Sequence, residues 1–322
     1  MRYGMYSNVA TASRSALIAL VVVGLASCAQ TTPGVFTVIL LPDTQNYAEK
    51  FPDTYVAQAE WIRERQRPDN VQFVIHLGDI VQNAMVEAEW ENADRAHALL
   101  DGIVPYSITP GNHDLDLDET GDLTRGTIMF DRYFGPDRFI DQPWYGGHLG
   151  ESNANNFCRF EVSGLKFLVL SLEWAPQDAT IEWASQVLQA HKDHRVILAT
   201  HYYMRTQGRG HGDSLGGHIG DDLWERFVRK HENIFMVVSG HVSGVYHQRS
   251  KNDAGHDVHE ILCDYQNLEN GGDGWLQTLR FVPKTDEIYV DAYSPVVEKT
   301  NRQPKHTYVI PYPMTGRSLK SR

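Results

Sequence analysis

The chain has 322 residues, 42% hydrophobic and 22% charged, which excludes wholesale disorder and leaves room for one large domain or two modest ones. The formal net charge of -12 argues against non-specific attraction to nucleic acid, and no basic, aromatic-interleaved stretch marks a nucleic-acid module. A phosphorylated substrate is not excluded, because bound cations reverse the local field.

Residues 1–27 read as an export signal. Arg2 and Arg14 are basic, residues 16–24 form a short apolar run, and small residues precede Cys28. This is similar to a bacterial lipoprotein signal. The similarity implies cleavage before Cys28, a lipid on its sulfur, a tether over residues 28–34, and anchoring on the periplasmic face of a membrane, the outer one in a Gram-negative host. Cys158 and Cys263 lie in apolar, strand-like runs and are expected as two buried thiols, although an oxidising compartment permits a disulfide.

Residues 35–41 form the first strand-like run. Asp53 is a candidate cap for a helix on which Tyr55, Ala59 and Ile62 share a face, with Pro68 closing it. Residues 71–77 read as a strand; Trp90, Ala93, His97 and Leu100 recur at helical spacing; residues 104–109 are strand-like again. This β-α-β-α-β order favours a right-handed, largely parallel sheet.

Residues 157–162 and 166–172 flank Ser163-Gly164, a hairpin turn. Asp178 is a candidate cap for a helix carrying Ile181, Ala184 and Leu188. Residues 195–200 and 234–239 are strands, separated by a helix with Trp224, Phe227, Val228 and His231 on one face. Strands follow at 258–263, 276–282 and 287–293. Residues 141–156 and 206–220 are polar, Gly-rich loops of the kind that serve as lids. Residues 299–322 contain several basic residues and no acidic one, and are expected as a surface tail.

Five of the strand-like runs end at a metal-binding residue: Asp43, Asp79, Asn112, His201 and His241. The carboxyl ends of strands are where loops converge on ligands in α/β sheets. One such residue would be a cap or turn former. Five together, with oxygen and imidazole donors, match the needs of divalent cations. Gly78, Gly111 and Gly240 each precede a donor, as a crowded site requires.

Asp43-Thr44-Gln45, the Gly78 to Asn83 segment, Gly111-Asn112-His113-Asp114, Thr200-His201 and Gly240-His241 occur in the order that characterises the calcineurin-like metallophosphoesterase superfamily, which the chain therefore resembles. The resemblance covers most of residues 35–245, with further C-terminal strands over 246–298. It implies an α/β fold, a four-layer α/β/β/α sandwich of two mixed β-sheets with flanking helices. It also implies a reaction: hydrolysis of a phosphomonoester or phosphodiester by a metal-bridged hydroxide. Asp79 would bridge two divalent ions, Asp43 would hold the first, and Asn112, His201 and His241 the second. His113 would protonate the leaving oxygen as general acid, and Asp114 would orient its imidazole.

Two positions depart from the pattern. Gln45 and Ser243 stand where the family usually has histidine. The first site is then oxygen-only, which favours Mn, Mg or Ca, while the second suits Mn, Fe or Zn. Gln45 belongs to a branch that opens with Asp-Thr-Gln; His247 is a candidate replacement at the other position. Arg205 and Tyr202 are candidate substrate contacts, with Tyr203, Trp275, His211 and His218 behind them. The competing reading is a non-catalytic metal- or ligand-binding surface lipoprotein on the same fold.

Overall fold

The computed structural model describes Met1 and residues 34–315, so the export signal, Cys28 and nearly all of the tether lie outside the described residues. The strand Phe36–Leu41 is buried along its whole length. Successive side chains in a strand face opposite sides, so an unbroken apolar run means that both faces of the sheet are covered.

Phe36–Leu41 lies parallel to Val71–His76, which lies parallel to Tyr106–Ser107. On its other side it pairs antiparallel with Leu276–Val282, followed by Glu287–Ser294 and Lys299–Asn301. The second sheet runs in the order Gly244–Lys251, Asp257–Asp264, Ile234–Ser239, Arg195–Thr200, Leu165–Leu172, Asn156–Val162 and Tyr145–His148. Its middle strands are parallel and its margins antiparallel.

Alternation along the strands divides the apolar residues among three cores. Phe36, Val38, Leu40, Phe73 and Ile75 meet Phe167, Val169, Ile197, Ala199 and Val238 between the sheets. Ile39, Leu41 and Val74 pack outward against Tyr55, Ala59, Ile62 and Trp90 of helices Pro52–Arg65 and Glu87–His97. Leu168, Leu170, Val196 and Leu198 pack outward against Ala184 and Leu188 of Asp178–Ala190 and Leu223 of Gly220–Arg226. The result is the expected four-layer α/β/β/α sandwich. Among the described residues no helix is long and apolar enough to cross a membrane.

Several local expectations change. Asp53 and Asp178 do not cap their helices. Pro52 takes the first helical position with Phe51 before it, and Gln177 precedes Asp178. Both aspartates sit in the first turn, where negative charge meets the positive end of the helix dipole. The helix carrying Trp224 ends at Arg226 and continues only as a short turn over Val228–Lys230. Within 141–156, Tyr145–His148 is an edge strand rather than loop.

The hairpin at Ser163-Gly164 is as read, with positive φ at both residues (55° and 74°), the twist-matched form of a two-residue turn. Cys158 and Cys263 are buried free thiols in the central core.

The stretch from residue 299 is not a surface tail where it is described. Lys299–Asn301 and Tyr308–Pro311 both pair with Glu287–Ser294. Ile310, Tyr312 and Met314 enter the central core. Alternation explains how: Val309 is 45% exposed while Ile310 is fully buried.

Candidate metal centre

Four of the strand-end donors come from both sheets and meet at one end of the sandwich, and Asn112 stands between Gly111 and His113, which both border Asp79. Asp43 follows Phe36–Leu41 and Asp79 follows Val71–His76 in the first sheet; His201 follows Arg195–Thr200 and His241 follows Ile234–Ser239 in the second. The ligand atoms of Asp79, His201 and His241 lie within 4.8 Å of one another. His201 Nε2 is 3.2 Å from Asp79 Oδ2 and 4.0 Å from Asp43 Oδ1.

The glycines before these donors make room for them. A Cβ on Gly111 would lie 2.2 Å from Asp79 Oδ1, and one on Gly240 would lie 2.1 Å from Asp43 Oδ2. No side chain tolerates such contacts.

Hydrogen bonds set the donor states. His201 Nδ1 donates to the Leu77 carbonyl at 2.8 Å, since a carbonyl only accepts, and this turns Nε2 toward the carboxylates. Burial pushes the His201 pKa down, but the Asp79 carboxylate overcomes this and raises it to about 10. Burial likewise pushes Asp79 up, and the His201 charge brings it down to about 2. The pair is thus an ion pair in which a cation can take the place of the imidazole proton. His241 is depressed to about 3 by burial and by the His201 charge, so its ring is neutral and competent as a ligand.

Three buried polar atoms here have no hydrogen-bond partner among the described residues: Asp43 Oδ2, Gln45 Oε1 and Asn112 Oδ1. Buried polar groups are nearly always satisfied. Orphan oxygens on three residues of one motif set, all hard donors, fit divalent cations. Gln45 Oε1 is among them.

His113 belongs to the same framework. Its backbone amide donates to Asp79 Oδ1 at 3.0 Å. Its ring Nδ1 donates to the Gln82 carbonyl at 2.8 Å. Asp114 does not orient the imidazole, contrary to expectation. Its buried carboxylate accepts the backbone amides of Ile80, Val81 and Gly111 at 2.8, 2.9 and 2.8 Å. It ties the loop after Val71–His76 to the Gly111 turn. Burial still raises its pKa to about 7.

The other candidates separate. Tyr202 is at the site, its ring 4.4 Å from that of His241. Arg205 is exposed on the hairpin formed by Met204–Arg205 and Gly208–Arg209, and its side chain makes no hydrogen bond or ion pair among the described residues. Tyr203 is buried and donates to Glu260 at 2.9 Å. Trp275 packs against Tyr265 in the central core. His211 pairs with Asp221, and His218 with Asp178 and Asp222.

His247 does not replace the imidazole absent at Ser243. Its Nε2 lies 3.2 Å from His259 Nδ1 and its ring stacks on Tyr308.

Two further residues border the centre. Asp264 is 1% exposed and, after burial itself, the largest influence raising the Asp43 pKa. It closes the strand Asp257–Asp264, so the strand-end signal that marks the other donors was present. Trp174 walls the centre, its ring 4.6 Å from His241 and 5.5 Å from His201 and Tyr202; no local pattern marks it.

A family model for calcineurin-like phosphoesterases matches residues 36–243. The protein YvnB of Bacillus subtilis (strain 168) is 34% identical over 281 residues, 85% of this chain, although the chain spans 21% of that relative's length. Purple acid phosphatase PPD1 from yellow lupin (Lupinus luteus) seeds aligns with a TM-score of 0.57 at 12% identity, over 90% of this chain and 56% of its own. That likeness is one of fold.

Proposed function

The chain belongs to the calcineurin-like phosphoesterase family, and from this premise we propose that it hydrolyses a phosphomonoester or phosphodiester at the strand-end cluster, with His113 as proton donor. The observation that most supports this is the set of partnerless buried oxygens on Asp43, Gln45 and Asn112 beside the Asp79–His201 ion pair.

Asp79, Asn112, His201 and His241 would hold one divalent ion, suited to Mn, Fe or Zn. Asp43 and Gln45, with Asp79 shared, would hold a second in an oxygen-only setting suited to Mn, Mg or Ca. Such ions supply Lewis acidity at phosphoryl oxygens and make water nucleophilic at neutral pH.

The chain's own residues do the rest. Asp114 holds the Asp79 loop and the Gly111 turn in register through three backbone amides. The Gln82 carbonyl keeps the His113 Nδ1–H in place, which leaves Nε2 to face the leaving oxygen. As the bond from phosphorus to that oxygen breaks, the imidazolium gives it the Nε2 proton. Water oxygen takes its place on phosphorus, and the products are an alcohol and a phosphate or phosphomonoester.

The test is an assay of aryl mono- and diesters across Mg²⁺, Mn²⁺, Zn²⁺, Ca²⁺ and Fe²⁺, beside His113→Ala. Metal-dependent turnover that collapses in the variant is expected. The absence of histidine at Gln45 and Ser243 favours a second reading, a binding lipoprotein without turnover. Tight metal binding with no ester cleaved would establish it.

We also propose export and lipid anchoring through Cys28, from the signal-like sequence of residues 1–27. Fatty-acid labelling that persists in Cys28→Ala would refute it.

A further inference from the structure

A cleft of about 300 Å³ is lined in part by Asn112, a candidate metal ligand, and by His113, the proposed proton donor. Its lining includes the amides Gln82 and Asn83 and the leucines Leu115, Leu117 and Leu123. No lysine, arginine, aspartate or glutamate lines it among the described residues. Among the described residues, His113 is the one titratable group that lines it.

The leucine wall is a built feature. Leu117 and Leu123 face each other across a small antiparallel turn. Its backbone is closed by Asp116 N–H to Gly126 O and Thr124 N–H to Asp116 O, each 2.9 Å. At its tip, Asp118 accepts the amides of Thr120 and Asp122 at 2.8 and 3.0 Å. Arg125 fastens the turn to the body, donating to the Ala175 and Leu215 carbonyls at 2.8 and 3.1 Å and pairing with Glu173 at 3.2 Å. A turn held this firmly presents its side chains in a fixed place. Yet Leu117 is 40% exposed beside the cleft, where cover by an apolar group would remove it from water.

The position of the cleft assigns its occupant. A group attached to the oxygen that His113 protonates must lie on the His113 side of phosphorus, away from the attacking water. We infer that this cleft is the leaving-group subsite, and that it selects phosphoesters whose leaving alcohol is uncharged and partly apolar, with Leu117 and Leu123 setting the preference. The inference rests on the phosphoesterase reading above. A leaving group bearing its own charge, such as a further phosphate, finds no counter-ion here and would be desolvated against leucine, which is costly. The amides of Gln82 and Asn83 can accept and donate to a neutral hydroxyl or ether without imposing charge.

The experiment compares kcat/KM for phosphodiesters of phenol and of 4-hydroxybenzoate, corrected for leaving-group pKa, in the full chain and in Leu117→Lys. Binding of free phenol and of 4-hydroxybenzoate is measured alongside by titration calorimetry. The neutral ester is expected to be preferred by about tenfold or more, the scale at which one apolar contact discriminates. Leu117→Lys should lower or reverse that ratio, and Leu117→Met should keep it. Equal kcat/KM for the two esters, or a ratio unmoved by Leu117→Lys, would overturn the inference while leaving the phosphoesterase reading intact. If no ester is cleaved but phenol binds and Leu117→Lys weakens it, the neutral cleft stands and the phosphoesterase reading fails. If neither phenol nor its ester is favoured over the charged counterpart, the cleft assignment fails as well.

Discussion

The backbone amide of His113 donates to Oδ1 of Asp79 at 3.0 Å, so the proposed proton donor and the central carboxylate are joined by one hydrogen bond. The His113 ring is set separately, by the Gln82 carbonyl at 2.8 Å. Position along the backbone and direction of the ring are thus fixed by different partners.

Replacing His113 by alanine should therefore remove proton donation without disturbing the Asp79 contact, which is made by the main chain. We expect kcat to fall by about 10²–10⁴ for esters with basic leaving groups, and far less for those with acidic ones. A plot of log kcat against leaving-group pKa checks this; equal losses across the series would rule His113 out as the acid.

Asp114→Asn separates two roles for a buried carboxylate. It leaves at least one backbone amide unsatisfied, at a cost of about 1–3 kcal/mol, and metal retention should weaken as the Gly111 turn loosens. If Asp114 instead oriented the His113 ring, the change would appear in the pH profile of kcat with stability intact. Urea denaturation and a pH–rate profile distinguish them.

Gln45→Ala removes the one oxygen that the Asp-Thr-Gln motif adds to Asp43. Affinity for the weaker of the two ions should drop by at least about 10–100-fold, the loss typical when a group that merely supports a ligand is removed, with the stronger ion retained. Titration calorimetry reads both. Undiminished binding of two ions would show that the Gln45 oxygen is not a ligand.

Gly111→Ala would place a methyl 2.4 Å from the Asp79 backbone nitrogen as well as against its carboxylate. Backbone cannot yield as a flexible side chain does, so a loss of about 1–3 kcal/mol is expected, as for overpacked cores, together with metal affinity. Native-like stability and metal content would contradict the geometry.

His97 is a source of acid sensitivity away from the centre. Burial, helped by the Arg138 charge, lowers its pKa from 6.5 to about 3. The folded pKa lies below the unfolded one, so the unfolded chain takes up the proton first. The stability due to the neutral ring is complete above pH 6.5 and declines as pH falls toward 3. One group contributes up to about 1.4 kcal/mol per pH unit in that window. In His97→Gln the baseline stability falls, and the dependence of unfolding free energy on pH between 6 and 4 becomes shallower by up to that amount. An unaltered slope would contradict the assignment.

Much of this protein was open to local reading. Strand runs such as Leu276–Val282, the Ser163-Gly164 turn and the helical recurrence of Trp90, Ala93 and His97 follow from side-chain periodicity and backbone sterics, which act over a few residues. The strand-end donors were legible for the same reason, since a donor at the end of an apolar run, behind a glycine at Asp79, Asn112 and His241, is a local pattern. Tertiary structure decided what depends on residues distant in the chain. Asp114 could not be recognised as a clamp because two of its amide partners sit more than thirty positions earlier, at Ile80 and Val81. His247 stands near Ser243 in sequence, yet pairing of Gly244–Lys251 with Asp257–Asp264 carries its ring to His259. The basic stretch after Glu298 looked like a tail because its net polarity hides Ile310, Tyr312 and Met314, which become core only when the strand Glu287–Ser294 offers them an edge. Local forces set which segments become strands and where donors stand on them; long-range pairing sets which of those donors meet, because only closure of the two sheets on one another brings Asp43, Asp79, His201 and His241 to a common end.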